Sequence, residues 1–445
     1  MKRMMTVFGA LLLAVAAWAD GSGYTVSDVQ LFSQRPWDKG VDVWFTVTPP
    51  AGGTNARAVE LDIVASNGVD EVYISDAAIL SRMAKPSGRQ HIVWRPDVDH
   101  PGVSFGQLKL YVSVKKEVSD HPPYLYVNLG DGSVGYAGLG FAQAAKKAFA
   151  LRDNLVFRYI PPTTSDEWKE ISGGKDTFSF GMPSANAGAA AMNDADKQRE
   201  DALHEVKLTK GFYFGVTPLT IGQYAMLGFK GKSRQDESCF EAIRGISYEA
   251  ARGEDSQGKY DYPRTDDVDP NSIVGKVRSL TGLKFDLPTN FQWEYALRAG
   301  STNAYLFTTT DRVPTADELN RQWHHSFTPT DRPANDWGIY AFIGCCHQWT
   351  LTLGRTTDST SANNYYLLTE DATDPTGPTL TYDHGYRIAR GSHAGANGYD
   401  TQKRVYRIGY KYPLNAKTPA DSELNFCGVR LCLTLDDGRA GSASR

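Results

Sequence analysis

The sequence predicts an α+β protein in which a small all-β sandwich precedes a larger, irregular α+β domain. Three features carry that expectation. Apolar and polar residues alternate between Tyr24 and Lys116, capping boxes start helices at Thr220 and Thr289, and 42 glycines are spread through a chain rich in aromatic residues. Alternation of period two buries one face of a strand, and a capping box satisfies the first amides of a helix. Many glycines around few helices imply short strands and long ordered loops.

Residues 1–19 have the pattern of a secretory signal. Lys2 and Arg3 precede the apolar run Val7 to Ala17, and Ala17-Trp18-Ala19 offers a small-x-small cleavage site before Asp20. No cysteine follows that site, so a lipobox anchor has no attachment atom. No other stretch approaches the roughly 18 consecutive apolar residues of a spanning helix. The expected location is secreted, periplasmic or cell-surface, without a transmembrane segment.

Residues 20–118 are expected to form the sandwich. VDVWFTV (41–47), VELDIV (59–64), HIVWRP (91–96) and LKLYVSV (108–114) alternate, with turn clusters such as PPAGGTN and KPSGR between them. That spacing suits an antiparallel sandwich of immunoglobulin or fibronectin type; an irregular β domain is the alternative.

A connecting segment, 119–154, holds the strand-like YLYVNL (124–129), a Gly-rich turn and an Ala-rich helix candidate near 141–150. The second domain spans 155–437 and begins with the strand-like LVFRYI (155–160). Residues 184–200 are small and polar without periodicity, which reads as a surface loop or flexible insertion, with a binding lid as the alternative. Three helices follow. TIGQYAMLG (220–228) has Thr220 and Gln223 as its box and Gly228 as its stop; SIVGKVRSLTG (272–282) runs from Ser272 to Gly282. In LPTNFQWEYALRAG (287–300) Thr289 and Gln292 form the box and Gly300 closes the helix. Phe291–Tyr295 and Trp293–Leu297 stand at i, i+4 on adjoining faces, so much of its circumference should be buried. Residues 438–445 read as a flexible tail.

A formal net charge of −4 over 445 residues supplies no basic stripe for nucleic acid and no polybasic patch for an anionic membrane. The five cysteines, Cys239, Cys345, Cys346, Cys427 and Cys432, are an odd number and make no disulfide framework. Cys345, Cys346 and His347 are adjacent. Neighbouring residues do not easily present both thiols to one tetrahedral metal, so core-filling thiols are expected, with a vicinal disulfide or partial metal site as the alternative. Cys427 and Cys432, five apart on a closing strand, read as buried structural residues. His324 and His325 read as surface groups, and Asp383, His384 and His393 as loop polar groups rather than an iron-facing set. The chain holds no G-x-S-x-G elbow, no G-x-x-x-x-G-K-[ST] loop and no H-E-x-x-H helix.

Five segments in order carry a resemblance: VTPLTIGQY (216–224), LPTNFQWEYALRAG (287–300), NDWGIYAFIGCCHQWT (335–350), IARGSH (388–393) and CGVRLCL (427–433). Over roughly 155–435 the chain resembles the sulfatase-modifying factor family, the formylglycine-generating-enzyme domain. The resemblance implies an irregular C-type-lectin-like fold. It also implies a calcium site built partly by an Asn and a Glu of the G-N-V-W-E-W motif, where this chain has Cys345 and Gln348. The degenerate calcium position is therefore Gly344, Cys345 and Gln348, which offers calcium few hard oxygens.

Family enzymes oxidise a sulfatase cysteine to formylglycine with oxygen and a copper ion held by two thiolates just after R-G-G-S-W. In RGSHAGANGYDTQKRVYR (390–407) there is no cysteine, and Gly395 and Asp400 stand at the two positions. Copper is therefore not expected, and no catalytic residue is assigned. The iron-binding branch of the family needs a His-x3-His-x-Glu spacing that the nine histidines do not show. The implied function is an exported, catalytically degenerate module that binds a glycan or polypeptide through His393, Tyr399, Asp400, Arg404, Tyr406 and Arg407. Tyrosine gives rigid amphipathic area and arginine a planar fork of donors. The alternative is an atypical formylglycine-generating oxidase or a non-haem iron enzyme of the same family.

Overall fold

The structure, a computed structural model, describes residues 18–19, 23–35, 40–76, 78–79, 81–103, 108–139, 149–182, 200–230, 238–254, 259–303, 305, 315, 317, 327–354, 366–378, 386–392, 408, 411–415 and 426–435. The chain divides into two compact units, Met1–Asn128 with Gly132–Lys147, and Leu129–Asp131 with Ala148–Arg445.

The first unit is all-β. Its main strands are β1 (Thr25–Arg35), β2 (Gly40–Thr48), β3 (Ala58–Ser66), β4 (Met83–Ala84), β5 (Gly88–Trp94), β6 (Lys109–Val118), β7 (Tyr124–Asn128) and β8 (Val134–Ala137). One antiparallel sheet runs β1-β2-β5. A second runs β6-β3-β4-β8-β7, also antiparallel. The expected alternation is what joins them. Val43, Phe45 and Val47 of β2, Val59, Leu61 and Ile63 of β3, and Leu110, Val112 and Val114 of β6 are buried in one cluster. Each such aliphatic side chain contributes about 1.5–3 kcal/mol relative to exposure. The hairpin β7–β8 comes from the stretch expected to connect the domains and clusters with this unit.

The second unit is mixed. It contains β9 (Asn154–Ile160), α1 (Asp166–Ser172), β10 (Phe178–Phe180), β11 (His204–Lys207), β12 (Phe212–Gly215), α2 (Ile221–Met226), α3 (Tyr248–Arg252), α4 (Ile273–Thr281), α5 (Asn290–Arg298), β13 (His347–Leu353), β14 (Ala372–Thr373), β15 (Tyr386–Arg390), β16 (Lys411–Asn415), β17 (Cys427–Gly428) and β18 (Cys432–Thr434). Strand β12 lies antiparallel between β9 and β18. Strand β11 pairs antiparallel with β10 and parallel with β14. In the sheet that carries the candidate site, β13 lies between antiparallel β15 and parallel β17, and β16 pairs with the far edge of β15.

The helix starts follow the sequence. The Thr220 and Thr289 hydroxyls accept the amides of Gln223 and Gln292, and each glutamine returns a bond to the cap amide. Ser272 caps α4, which closes on left-handed Gly282. The end of α5 departs from expectation: Ala299, not Gly300, is the left-handed cap, with φ 45°. A non-glycine there costs about 1–2 kcal/mol, which the packing of the surrounding core must outweigh. Every residue of α5 from Asn290 to Arg298 is buried. The 141–148 part of the Ala-rich helix candidate and the 184–199 part of the polar insertion lie outside the described residues.

Candidate functional site

The sheet β15-β13-β17 places three sequence-singled segments side by side. Gln348 pairs with Arg390 on one flank and with Gly428 on the other, so GCCHQW, IARGSH and CGVR meet at one register. The lead-in to β13 is fixed by Asn335. Its amide donates to the carbonyls of Ala296 (2.7 Å) and Leu297 (3.1 Å) at the end of α5, while its oxygen accepts from the Ile339 amide.

Gln348 is fully used. Its Nε2 donates to the carbonyls of Ala341 (2.9 Å) and Phe342 (3.3 Å), and its Oε1 accepts from Trp293 Nε1 (2.9 Å) and Arg430 Nε (2.7 Å). The rest of the Arg430 guanidinium reaches the carbonyls of Gly215, Tyr340 and Ala341 at 2.7, 2.7 and 2.9 Å. It stacks 4.7 Å from the centre of the Phe342 ring. Burial works against its charge and pushes its proton affinity down; the converging carbonyls and the ring face are what keep a cation there.

A second charged cluster is equally dry. Glu294 accepts from Arg298 Nη2 (2.8 Å) and Nε (3.0 Å), from the Gly181 amide (2.8 Å) and from Arg390. Arg390 also donates to the Ile408 carbonyl at 3.0 Å. Beside it, Gly391 has φ 79°, and a Cβ there would lie 2.3 Å from the Phe342 carbonyl oxygen, so only glycine fits. Ser392 accepts from the Gly344 amide through its hydroxyl (3.0 Å) and its carbonyl (2.9 Å). Downstream, the buried Lys411 ammonium donates to Asp201 and to the Tyr366 carbonyl, both at 2.7 Å. Arg390, Ser392, Ile408 and Lys411 are therefore tied into the core by buried hydrogen bonds.

The model of the sulfatase-modifying factor enzyme 1-like domain matches residues 177–435. The chain belongs to this family. No curated protein matches the chain. Among solved structures, Treponema denticola variable protein 1 is similar at 15% identity over 63% of this chain and 95% of that chain, with a TM-score of 0.40.

In this sulfatase-modifying-factor domain the adjacent thiols are core groups. Cys345 Sγ donates to the Phe327 carbonyl at 2.9 Å. Cys346 Sγ packs on Gly428, where an added Cβ would lie 2.8 Å from the sulfur. His347 Nδ1 lies 3.1 Å from the Gly391 carbonyl oxygen. Burial pushes the Cys345, Cys346 and Cys432 thiols up, so they hold their protons at neutral pH. None of the five cysteines forms a disulfide, so the vicinal bond weighed from sequence is not made. Among the described residues no three His, Cys, Asp or Glu side chains are grouped to hold a metal. The two positions at which the family's copper thiolates are expected, Gly395 and Asp400, carry no sulfur.

At the degenerate calcium position the oxygens are committed. The Gly344 carbonyl accepts from Arg332, the Gln348 oxygen from Trp293 and Arg430, and Cys345 offers only sulfur. His393, Gly395, Tyr399, Asp400, Arg404, Tyr406 and Arg407 lie outside the described residues, as do His324, His325, Asp383 and His384. Sequence reasoning missed the Glu294, Arg390, Arg430, Asp201 and Lys411 partnerships. Only one local signal pointed to them, the i, i+4 spacing of Glu294 and Arg298.

Proposed function

We propose that this protein is an exported member of the sulfatase-modifying factor family that recognises a glycan or polypeptide and does not oxidise one. The observation that carries the reading is the absence of sulfur at Gly395 and Asp400 in a chain that matches the family over residues 177–435. A lectin-like scaffold then presents His393, Tyr399, Asp400, Arg404, Tyr406 and Arg407 as its contact surface. Support comes from the flanks of that segment: Arg390 bonds Ile408, and Lys411 bonds Asp201. Anchored flanks lower the entropy cost of ordering a recognition segment on binding. Binding through this surface is independent of calcium, because the oxygens at Gly344 and Gln348 are already engaged. The N-terminal 19 residues direct export and are removed.

A glycan and peptide array probed with the purified mature chain tests this, in calcium and in chelator. Binding to a restricted set of features, equal in both conditions and lost in Tyr399→Ala with Arg404→Ala, is the expected result. Array binding untouched by that double variant, or strictly calcium-dependent, contradicts the reading.

A further inference from the structure

Within the second unit, the loop from Phe285 to Pro288, α4 and the turn after β14 enclose a cleft of about 330 Å³. That lies in the range of roughly 300–1,000 Å³ typical of small-ligand sites. The described residues that line it include neither Arg390–Ser392 nor Lys411–Asn415, the described flanks of the surface proposed above.

Its wall is preorganised. Arg278 donates to Asp286 (2.9 Å) and to the carbonyls of Phe285 and Asp266 (both 2.6 Å), and Arg252 holds the other oxygen of Asp286 at 2.9 Å. Asp374 accepts the Thr209 amide at 2.8 Å and the Thr209 hydroxyl. These groups are spent on the fold. Lys284 and Asp266 are not: both line the cleft, both are exposed, and among the described residues neither side chain has a hydrogen-bonding partner.

Charge decides the class of ligand. Lys210, Arg278 and Lys284 are matched by Asp266, Asp286 and Asp374, so the lining is neutral overall. An anion meets three carboxylates there and a cation meets three basic groups. The partly exposed ring of Tyr262 supplies apolar surface to the lining, which Leu208, Leu287 and Leu351 complete as buried residues. Burial raises the Tyr262 hydroxyl's proton affinity, so it remains a neutral donor. A pyranose ring has the complementary pattern, an apolar face edged by hydroxyls that both donate and accept.

The geometry points to this cleft as a binding site for a neutral saccharide of one or two rings, held between the Lys284 ammonium and the Asp266 carboxylate. The test is saturation-transfer NMR of the full mature chain against neutral methyl glycosides and disaccharides at about 10 mM, a range suited to weak sugar affinities. Glucuronic acid and glucosamine serve as charged controls. At least one neutral sugar is expected to bind, with the charged analogues weaker. The double variant Lys284→Ala, Asp266→Ala keeps the lining neutral, and loss of two charged hydrogen bonds should weaken binding by about tenfold or more with an unchanged melting temperature. Absence of binding by every neutral sugar, tighter binding of a charged analogue, or affinity unaltered in the double variant overturns the proposal. The Lys284, Asp266 variant and the Tyr399, Arg404 variant change different residues, so this site and the C-terminal surface can fail separately.

Discussion

Gln348 Oε1 accepts from Arg430 Nε at 2.7 Å, in a part of the core where both residues are fully buried. One amide oxygen thereby satisfies a buried guanidinium N–H, while the same oxygen holds Trp293 of α5. The residue that replaces the family's glutamate has become a structural hub between β13, α5 and the closing strands.

Truncating that hub should be costly. Gln348→Ala leaves Arg430 and Trp293 short of an acceptor, and the expected loss is about 3 kcal/mol, measured by urea denaturation with the slope checked for two-state behaviour. A change below about 1 kcal/mol would show that the core repairs the gap with other groups.

Calcium should leave the protein unmoved. The Gly344 and Gln348 oxygens are engaged by Arg332, Arg430 and Trp293, whereas calcium takes about six to eight oxygen ligands. The melting temperature is expected to be equal in millimolar calcium and in chelator; a rise of several degrees with calcium would contradict this assignment.

Glu294→Gln removes the carboxylate that pairs with both Arg298 and Arg390. A buried ion pair broken on one side typically costs about 3–5 kcal/mol. Because Arg390 leads into residues 391–407 and bonds Ile408, array binding should weaken even where the variant remains folded, as judged by circular dichroism.

Thiol chemistry offers a fourth check. Cys239 is exposed, whereas Cys345, Cys346, Cys427 and Cys432 are buried. One thiol per chain should react with a disulfide reagent at pH 8 in the native state, and all five in denaturant. Stability follows with a defined sign. An unfolded cysteine ionises near about pH 8.5, while the folded Cys345, Cys346 and Cys432 stay protonated above it. The native state then binds more protons, so stability present at pH 7 declines as pH rises beyond about 8.5. Flat stability from pH 8 to 10, or rapid native labelling of more than one thiol, would contradict the burial of these groups.

Local chemistry is what the sequence made legible. Thr220, Ser272 and Thr289 cap helices because a hydroxyl and an amide three residues on suffice, and the Val43-Phe45-Val47 alternation finds its facing sheet for the same near-neighbour reason. Ala299 as a left-handed cap was not legible, since propensity favours Gly300 and tertiary packing decides otherwise. Nor were the pairings of Asp201 with Lys411 or Gln348 with Arg430, which join residues far apart in sequence. A charge in a sequence does not announce its partner. The thiols at 345 and 346, expected from their adjacency to fill the core, are fully buried.

The most direct test of recognition without oxidation is copper and iron content of the purified mature chain, taken together with oxygen uptake on a cysteine-containing sulfatase peptide. The account predicts substoichiometric metal and no peptide-dependent uptake. One copper or iron per chain, accompanied by oxygen consumption and loss of the peptide thiol, would contradict it.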